Sequence, residues 1–245
     1  MAKKPKSDEE VADFRARVCK AATRLFLERG AKNVSMRQIA AELGVSAMTP
    51  YRYFSGRDEI LATVRAAAFN KFASTLEMAS KSGADAQARA KSVGDAYVRF
   101  AKRYASTYQL MFASIQPNET RYPELAHATA RARRTMDDYV QGLVDEGVIS
   151  GDVHLIGYMF WAVMHGIVML DQAGALSRDV NAAMLRQMTF DTLFAGISIA
   201  PPLSTKKPPV RKSTPVSPRS ARLIVSPQTA ELRARRRKST AAPGS

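Results

Sequence analysis

Residues 35–54 read SMRQIAAELGVSAMTPYRYF. Ser35 with Gln38 three positions on is a capping-box pattern: the serine hydroxyl accepts from the Gln38 amide while the glutamine side chain reaches back. Ile39, Ala40 and Leu43 form one apolar stripe, and Gly44 supplies the left-handed residue that ends a helix. The stretch predicts a short helix over 35–43 and a tight turn at Gly44-Val45-Ser46 with Val45 plugging the corner. A second short helix follows over 47–54, capped by Ser46. Pro50 lies inside that second helix, but the carbonyl it would orphan belongs to the cap, so the expected damage stays in the first turn. Two short helices joined this way can brace one helix while the other lies in the DNA major groove.

Upstream, from Asp13, apolar residues recur at Val18, Ala22, Leu25 and Phe26, the spacing of an amphipathic helix that stops at Gly30. Residues 1–12 read as a flexible basic arm. Downstream, Ser55 with Asp58 starts a helix through Ile60, Leu61, Val64, Ala68, Phe72 and Leu76, reaching about Ser82-Gly83. From Ala84 a further helix presents Val93, Tyr97, Phe100, Ala101 and Tyr104 on one face and breaks near Ser106. A short segment over 108–115, a loop around Pro117-Asn118 and Pro123, and a long helix over 124–146 follow. The segment 152–172 is apolar almost all round, so it must be enclosed by the subunit's own core or by a second subunit. A last helix spans 181–197. No segment shows strand alternation, so the fold class is all-α with about nine helices. The expected domains are the arm, a helix-turn-helix domain over 13–82, a helical body over 83–199 and a tail over 200–245.

The formal net charge of +15 points to a polyanionic partner, nucleic acid or an anionic membrane surface. Most of that charge sits in one place. Residues 201–245 carry eleven Lys/Arg against the single acid Glu231, a net +10, together with eight of the twelve prolines. Such a segment cannot bury enough apolar surface to fold and is expected to be disordered. The single cysteine, Cys19, excludes an intramolecular disulfide and fits a reducing compartment. The N-terminus has no apolar secretory core. The uncharged run Val153–Leu170 reaches the lower edge of membrane-spanning length, but its two histidines and two glycines favour a buried helix. A cytoplasmic protein with no membrane partner is expected.

Residues 14–80 resemble the DNA-binding domain of the TetR (tetracycline repressor) family of transcriptional regulators. The matching features, in order, are the helix ATRLFLERG, the serine-capped SMRQIAAELGVS, the aromatic block YRYF and the restart SGRDEIL. The family usually has leucine where this chain has Pro50, and often a lysine near the start of the fourth helix, where this chain has Ser55 and Arg57. In the body, WAVMHGIVML at 161–170 with YQLMFA at 108–113 resembles a subgroup named for its Trp-His-Gly signature. That resemblance implies a ligand-sensing and dimerisation domain whose last two helices form a four-helix interface with the partner. Together the two resemblances cover roughly residues 14–198.

A recognition helix needs side chains that reach phosphates or base edges. Tyr51, Tyr53 and Thr49 offer hydroxyls, Ala47 and Met48 can pack on thymine methyls, and Arg52 can reach a guanine edge or a phosphate. Ser35, Arg37 and Ser46 sit at helix N-termini, where backbone amides favour phosphate. The resemblance assigns Tyr51 and Tyr53 to phosphate or groove contacts, turns Phe54 into the core, and places Arg57 at the family's phosphate-binding lysine. The competing reading of YRYF is a packed core cluster, which would bury three hydroxyl or cationic groups at a cost. For an effector pocket the candidates are Phe100, Tyr104, Met111, Phe112, Tyr139, Phe160, Trp161, Met164 and His165. Each is also an ordinary core residue type.

Three scattered histidines make no metal site, and no cofactor motif is present. No glycine-rich phosphate loop, nucleophile elbow, His-x-x-x-His pair or CxxC assembles a reaction, so an enzyme is not expected. The expectation is a homodimeric, ligand-responsive repressor that binds a palindromic operator and responds to a small-molecule effector. The alternative is an architectural or RNA-binding protein acting through the basic tail. Deleting residues 201–245 separates them. Sequence-specific DNA binding should survive with a shallower dependence of affinity on salt, whereas the tail-driven alternative predicts that binding is abolished.

Overall fold

The Ser7 hydroxyl accepts the Glu10 amide at 3.2 Å, and the Ser7 amide donates to the Glu10 carboxylate at 2.9 Å. This capping box starts the first helix, α1 (Asp8–Arg29), at Asp8 rather than Asp13, so residues 8–12 of the expected arm are helical. The structure, a computed structural model, describes residues 7–112 and 121–199. These residues lie within one compact unit, Met1–Leu203. Among them stand eight α-helices and no strand. After α1 come α2 (Met36–Glu42), α3 (Arg57–Ala79), α4 (Ala86–Arg103) and α5 (Ala105–Phe112). The series ends with α6 (Pro123–Asp145), α7 (Val153–Gln172) and α8 (Ala182–Ile199). The all-α expectation is met. The helix missing from the expected nine is the one over 47–54. Residues 113–115 and the Pro117-Asn118 loop lie outside the described residues.

The start of α2 follows its sequence, since Ser35 caps the Gln38 amide at 3.3 Å and Gln38 Oε1 accepts the Ser35 amide at 2.8 Å. Its end is a Schellman motif: the Val45 amide bonds the Ala40 carbonyl and the Gly44 amide the Ala41 carbonyl, with Gly44 at φ +66. Arg24 of α1 pairs with Glu42 and ties the two helices together.

The start of α3 departs from expectation. Gly56 occupies the cap position and gives no side-chain bond, so the helix begins at Arg57. Glu59, not Asp58, reaches back and accepts both the Ser55 amide (2.7 Å) and hydroxyl (2.8 Å).

Two cores share α3. Its first turns supply Ile60, Leu61 and Val64 to a head core with Phe14, Val18, Leu25, Phe26, Ile39 and Phe54. Its later turns supply Phe69, Phe72, Ala73 and Leu76 to a body core with α4, α5, α6 and α7. This explains a helix apolar on most of its circumference, because opposite ends need opposite partners. At the junction the buried Arg65 donates from Nε (3.1 Å) and Nη2 (2.9 Å) to the Met111 carbonyl of α5, while the neighbouring Leu110 enters the head core. Cys19 is half-buried against the head, where burial pushes its thiol up to about 11.

The body closes over α7, whose Asp152 cap accepts the Leu155 amide at 2.9 Å. Among the described residues, α7 is the one helix long and apolar enough to cross a membrane by length and composition. It buries Ile156, Phe160, Met164, Ile167 and Val168 against its neighbours, but leaves Leu155 and Leu170 exposed. The expected enclosure is therefore one-sided within this subunit.

Gly44 offers a clean test of the turn. Nothing lies within 4 Å of a Cβ built there, so only the positive φ resists a side chain. Gly44→Ala should cost about 1 kcal/mol in urea denaturation and Gly44→Asn clearly less, because asparagine tolerates the left-handed region.

Candidate nucleic-acid interface and body cavity

Pro50 has no amide hydrogen, so the Ser46 carbonyl cannot receive the bond an α-helix would give it. It takes the Thr49 amide instead, at 2.9 Å. The chain continues in the same tight register, Arg52 amide to Thr49 carbonyl at 3.2 Å and Tyr53 amide to Pro50 carbonyl at 3.0 Å. The result is turns followed by a 3-10 turn, Pro50–Arg52. The short helix expected over 47–54, with only a distorted first turn, is thus corrected. Ser46 does not act as its side-chain cap, and its hydroxyl bonds the Thr49 hydroxyl at 2.9 Å.

The turn presents a defined set of side chains. Ser46, Ala47, Met48, Tyr51 and Arg52 are exposed, Met48 at 69% and Tyr51 at 49%. Thr49 is half-buried and Phe54 fully buried. Tyr53 is half-buried with its ring 4.4 Å from that of Phe14, so of the YRYF block Tyr53 and Phe54 pack on the head while Tyr51 and Arg52 face outward. Ser35 and Arg37 are exposed at the start of α2. Arg57, half-buried at the start of α3, pairs with Asp58 at 2.8 Å and donates to the Ala31 and Lys32 carbonyls at 3.3 and 3.4 Å.

Arg15 of α1 pins this segment from below. Its guanidinium donates to the Tyr53 carbonyl, lies 4.0 Å from the centre of the Phe54 ring, and pairs with Glu59 at 3.3 Å. Reading the sequence missed Arg15, and no local pattern could have found it, since its partners lie 38 and 44 residues away. Burial raises the Glu59 carboxyl, but hydrogen bonds from Ser55 and Arg15 outweigh it and hold the group below the ordinary glutamate value.

In the body, a cavity of about 460 Å³ opens between α4, α6, α7 and α8, with Leu76 of α3 in its wall. Of the candidate pocket residues, Tyr139, Phe160, Trp161 and Met164 line it. A second cavity of about 280 Å³ is lined by Met111, Phe112 and the other side of Trp161. Phe100, Tyr104 and His165 line neither. Phe100 packs on Phe72 at 5.1 Å in the core, and Tyr104 lies under the Lys71 ammonium, 3.8 Å from its ring centre. His165 Nδ1 lies 2.6 Å from the Tyr108 hydroxyl, which lies 2.5 Å from that of Tyr97; burial holds His165 below its ordinary pKa. Tyr97, Phe190 and Phe194 join the larger cavity's wall, although α8 gave the sequence reading no pocket candidate. Among the described residues no cluster of His, Cys, Asp or Glu could hold a metal.

The pinning contacts make two predictions. Arg15→Ala should destabilise the head by about 1–3 kcal/mol in thermal melts, since it removes two contacts and leaves Glu59 without its cation. Glu59 has a depressed carboxyl pKa, so its contribution is complete above the ordinary glutamate range and lost as pH falls through its own lower value. Glu59→Gln should therefore flatten the acid limb of stability measured by urea titration at successive pH values.

Comparison with known proteins gives a consistent result. The family model for bacterial regulatory proteins of the tetR family matches residues 18–64, and that for the tetracyclin repressor-like C-terminal domain matches residues 90–193. No curated protein matches the sequence. Among solved structures, a protein of unknown function from Rhodococcus sp. RHA1 is 25% identical, with a TM-score of 0.65 over 75% of this chain and 95% of that one. The TetR family transcriptional regulator PfmR from Thermus thermophilus is 20% identical, with a TM-score of 0.55 over 73% of this chain and 96% of its own. The fatty acid degradation regulator FadR from Bacillus halodurans is 14% identical, with a TM-score of 0.60 over 79% and 98%. At these last two identities the likeness is one of fold. With an N-terminal match over the head and a C-terminal match over the body, the chain belongs to the TetR family of bacterial transcriptional regulators.

Proposed function

We propose that this regulator is a cytoplasmic, homodimeric, ligand-responsive repressor, and that Ser46, Ala47, Met48, Thr49, Tyr51, Arg52 and the half-buried Tyr53 of each subunit, with Ser35, Arg37 and Arg57 at the flanking helix starts, contact a palindromic operator. One observation supports the coupling above all. The helix that starts three residues after the recognition turn, α3, is unbroken from Arg57 to Ala79 and carries Leu76 into the wall of the larger cavity. At 1.5 Å per residue, Arg57 and Leu76 lie about 28 Å apart on one rod. A ligand that repacks the cavity tilts that rod and changes the separation of the two recognition segments, which fit successive major grooves about 34 Å apart. α3 is the helix counted fourth in the sequence reading.

Dimerisation is assigned to α7 and α8, where Leu155, Leu170, Met184 and Met188 stand exposed, Met184 at 66% and Met188 at 67%. Exposed apolar side chains on two adjacent terminal helices suit a four-helix interface, as the Trp-His-Gly resemblance implies. The proposed division is a DNA-binding head over 13–82, an effector-binding body over 83–199 and a basic tail over 200–245 that raises affinity for any polyanion, with the later turns of α3 packed into the body core. The regulator reading is preferred to an enzyme because the matches over the head and over the body are both to domains of regulators.

Replacing Tyr51 and Arg52 together by alanine tests the reading. Operator affinity should fall by about 1–3 kcal/mol per lost base contact while sedimentation still reports a dimer, and unchanged affinity would contradict it.

A further inference from the structure

α5 is eight residues long, too short to hold itself as a helix, so its anchors set its place. Leu110 enters the head core, and the Met111 carbonyl takes two bonds from Arg65 of α3. Tyr108 is fully buried in the body core, where its hydroxyl meets that of Tyr97 from α4 at 2.5 Å and His165 Nδ1 from α7 at 2.6 Å. One turn of helix therefore touches both head and body.

Counting hydrogens gives this chain of bonds a direction. Burial above all raises both phenols, so Tyr97 and Tyr108 each keep one hydrogen to donate. Tyr108 gives its hydrogen to one of its two partners and accepts from the other. Were His165 the donor, the Tyr97 hydrogen would be left facing Trp161, the other described partner of that phenol, and an indole only donates. A buried hydrogen without an acceptor is costly. The order that orphans none runs from Trp161 to Tyr97 to Tyr108 to His165. Nδ1 is then an acceptor, and Nε2 carries the hydrogen.

The same count opposes a charge on His165, since a protonated ring must donate from Nδ1 and reverse the chain. Burial acts in the same direction and lowers the pKa of the ring. The titratable groups facing it are the phenols of Tyr108 from α5 and Tyr97 from α4, with the rings of Phe112 and Trp161 at 4.5 and 5.9 Å. No described charged side chain bonds it. The ion pairs of α7 and of the helices packed on it lie elsewhere: Asp171 with Lys102 of α4, His154 with Asp137 of α6, and Arg186 of α8 with Asp95 of α4.

We propose that His165 is a positioning residue: as a neutral acceptor at the end of this one-way chain it holds α5 between body and head, and operator binding by the head depends on it. This rests on the reading of the head as the operator-binding unit. Protonation orphans a buried hydrogen and loosens α5, and with it Leu110 in the head core.

Full-length protein isotope-labelled at its histidine nitrogens gives the tautomer by NMR. His165 should lack a hydrogen at Nδ1 and titrate below the ordinary histidine value of about 6.5. A hydrogen on Nδ1, or an ordinary titration, overturns the chain. Operator affinity is read on a duplex selected from random-sequence DNA with the wild-type protein at neutral pH. His165→Asn places an amide oxygen near the Nδ1 position and cannot titrate, so its affinity should stay within about twofold. His165→Leu and Tyr108→Phe should lower affinity at least about fivefold while circular dichroism and sedimentation report the native fold and dimer. Because the neutral ring is the competent form, wild-type affinity should fall by a similar factor as pH drops through the His165 midpoint, whereas His165→Asn stays level. The other two histidines, His127 and His154, remain in that variant and none of the three lies in the head, so a fall shared by both proteins overturns the proposal. Unchanged affinity in His165→Leu overturns it as well. Enrichment of no duplex overturns the operator reading instead, and the tautomer still decides the chain.

Discussion

One helix is required by two cores. α3 gives its N-terminal turns to the head and its C-terminal turns to the body, so neither core can form around a broken or displaced α3. Arg65 sits where the two meet, and its bonds to the Met111 carbonyl bind α3 to α5, whose Leu110 is itself part of the head core. A second clamp holds the far end. Arg131 of α6 grips Glu77 of α3 through two bonds, at 2.8 and 2.6 Å, and reaches Ser74 and Asn70 on the same face. Exposed pairs contribute little each, but a bidentate guanidinium fixes register as well as distance. The body thereby holds a rod whose other end begins beside the recognition turn.

That turn is shaped by a missing donor. With Pro50 in place the segment adopts the tighter 3-10 register, which eclipses side chains every third residue and brings Tyr51 and Arg52 to the surface while Tyr53 and Phe54 turn inward. A tight, poorly bonded turn would wander unless held. Arg15 holds it with a hydrogen bond, a ring contact and an ion pair, all from α1. The contact residues therefore stand on a backbone fixed by the head core, so less ordering remains to be done on binding DNA.

Local chemistry was legible in the sequence and long-range chemistry was not. The Ser35/Gln38 box, the Gly44 turn, the Asp152 start and the restart near Ser55 depend on residues within four positions of one another, and each formed at or beside its expected place. The Ser7/Glu10 box is the same local pattern, and it starts the first helix ahead of the apolar stripe at Val18, Ala22, Leu25 and Phe26 that marks the helix in the sequence. At Pro50 the lost bond to the Ser46 carbonyl is only half of the effect. The Ser46 carbonyl recovered a partner at i+3, and that substitution reset the register of everything after it. The candidate pocket list mixed wall with core because aromatic residues of α4 to α7 share one composition. Which of them face a void depends on how four helices meet. Tyr139 and Phe100 are both aromatic residues on helical apolar stripes, and only packing separates a ring that lines a cavity from one in a filled core.

The central claim is that cavity and recognition turn are two ends of one rigid element. Its most direct test is pulsed electron-electron distance measurement between nitroxides placed at Met48→Cys on the two subunits, in a Cys19→Ser background. With operator DNA the account predicts a narrow distribution set by the groove spacing of about 34 Å. Loading the cavity with a bound effector should move that distribution by several ångströms as operator is released. Release of operator with the distribution unchanged would contradict the account, because ligand would then act without moving α3.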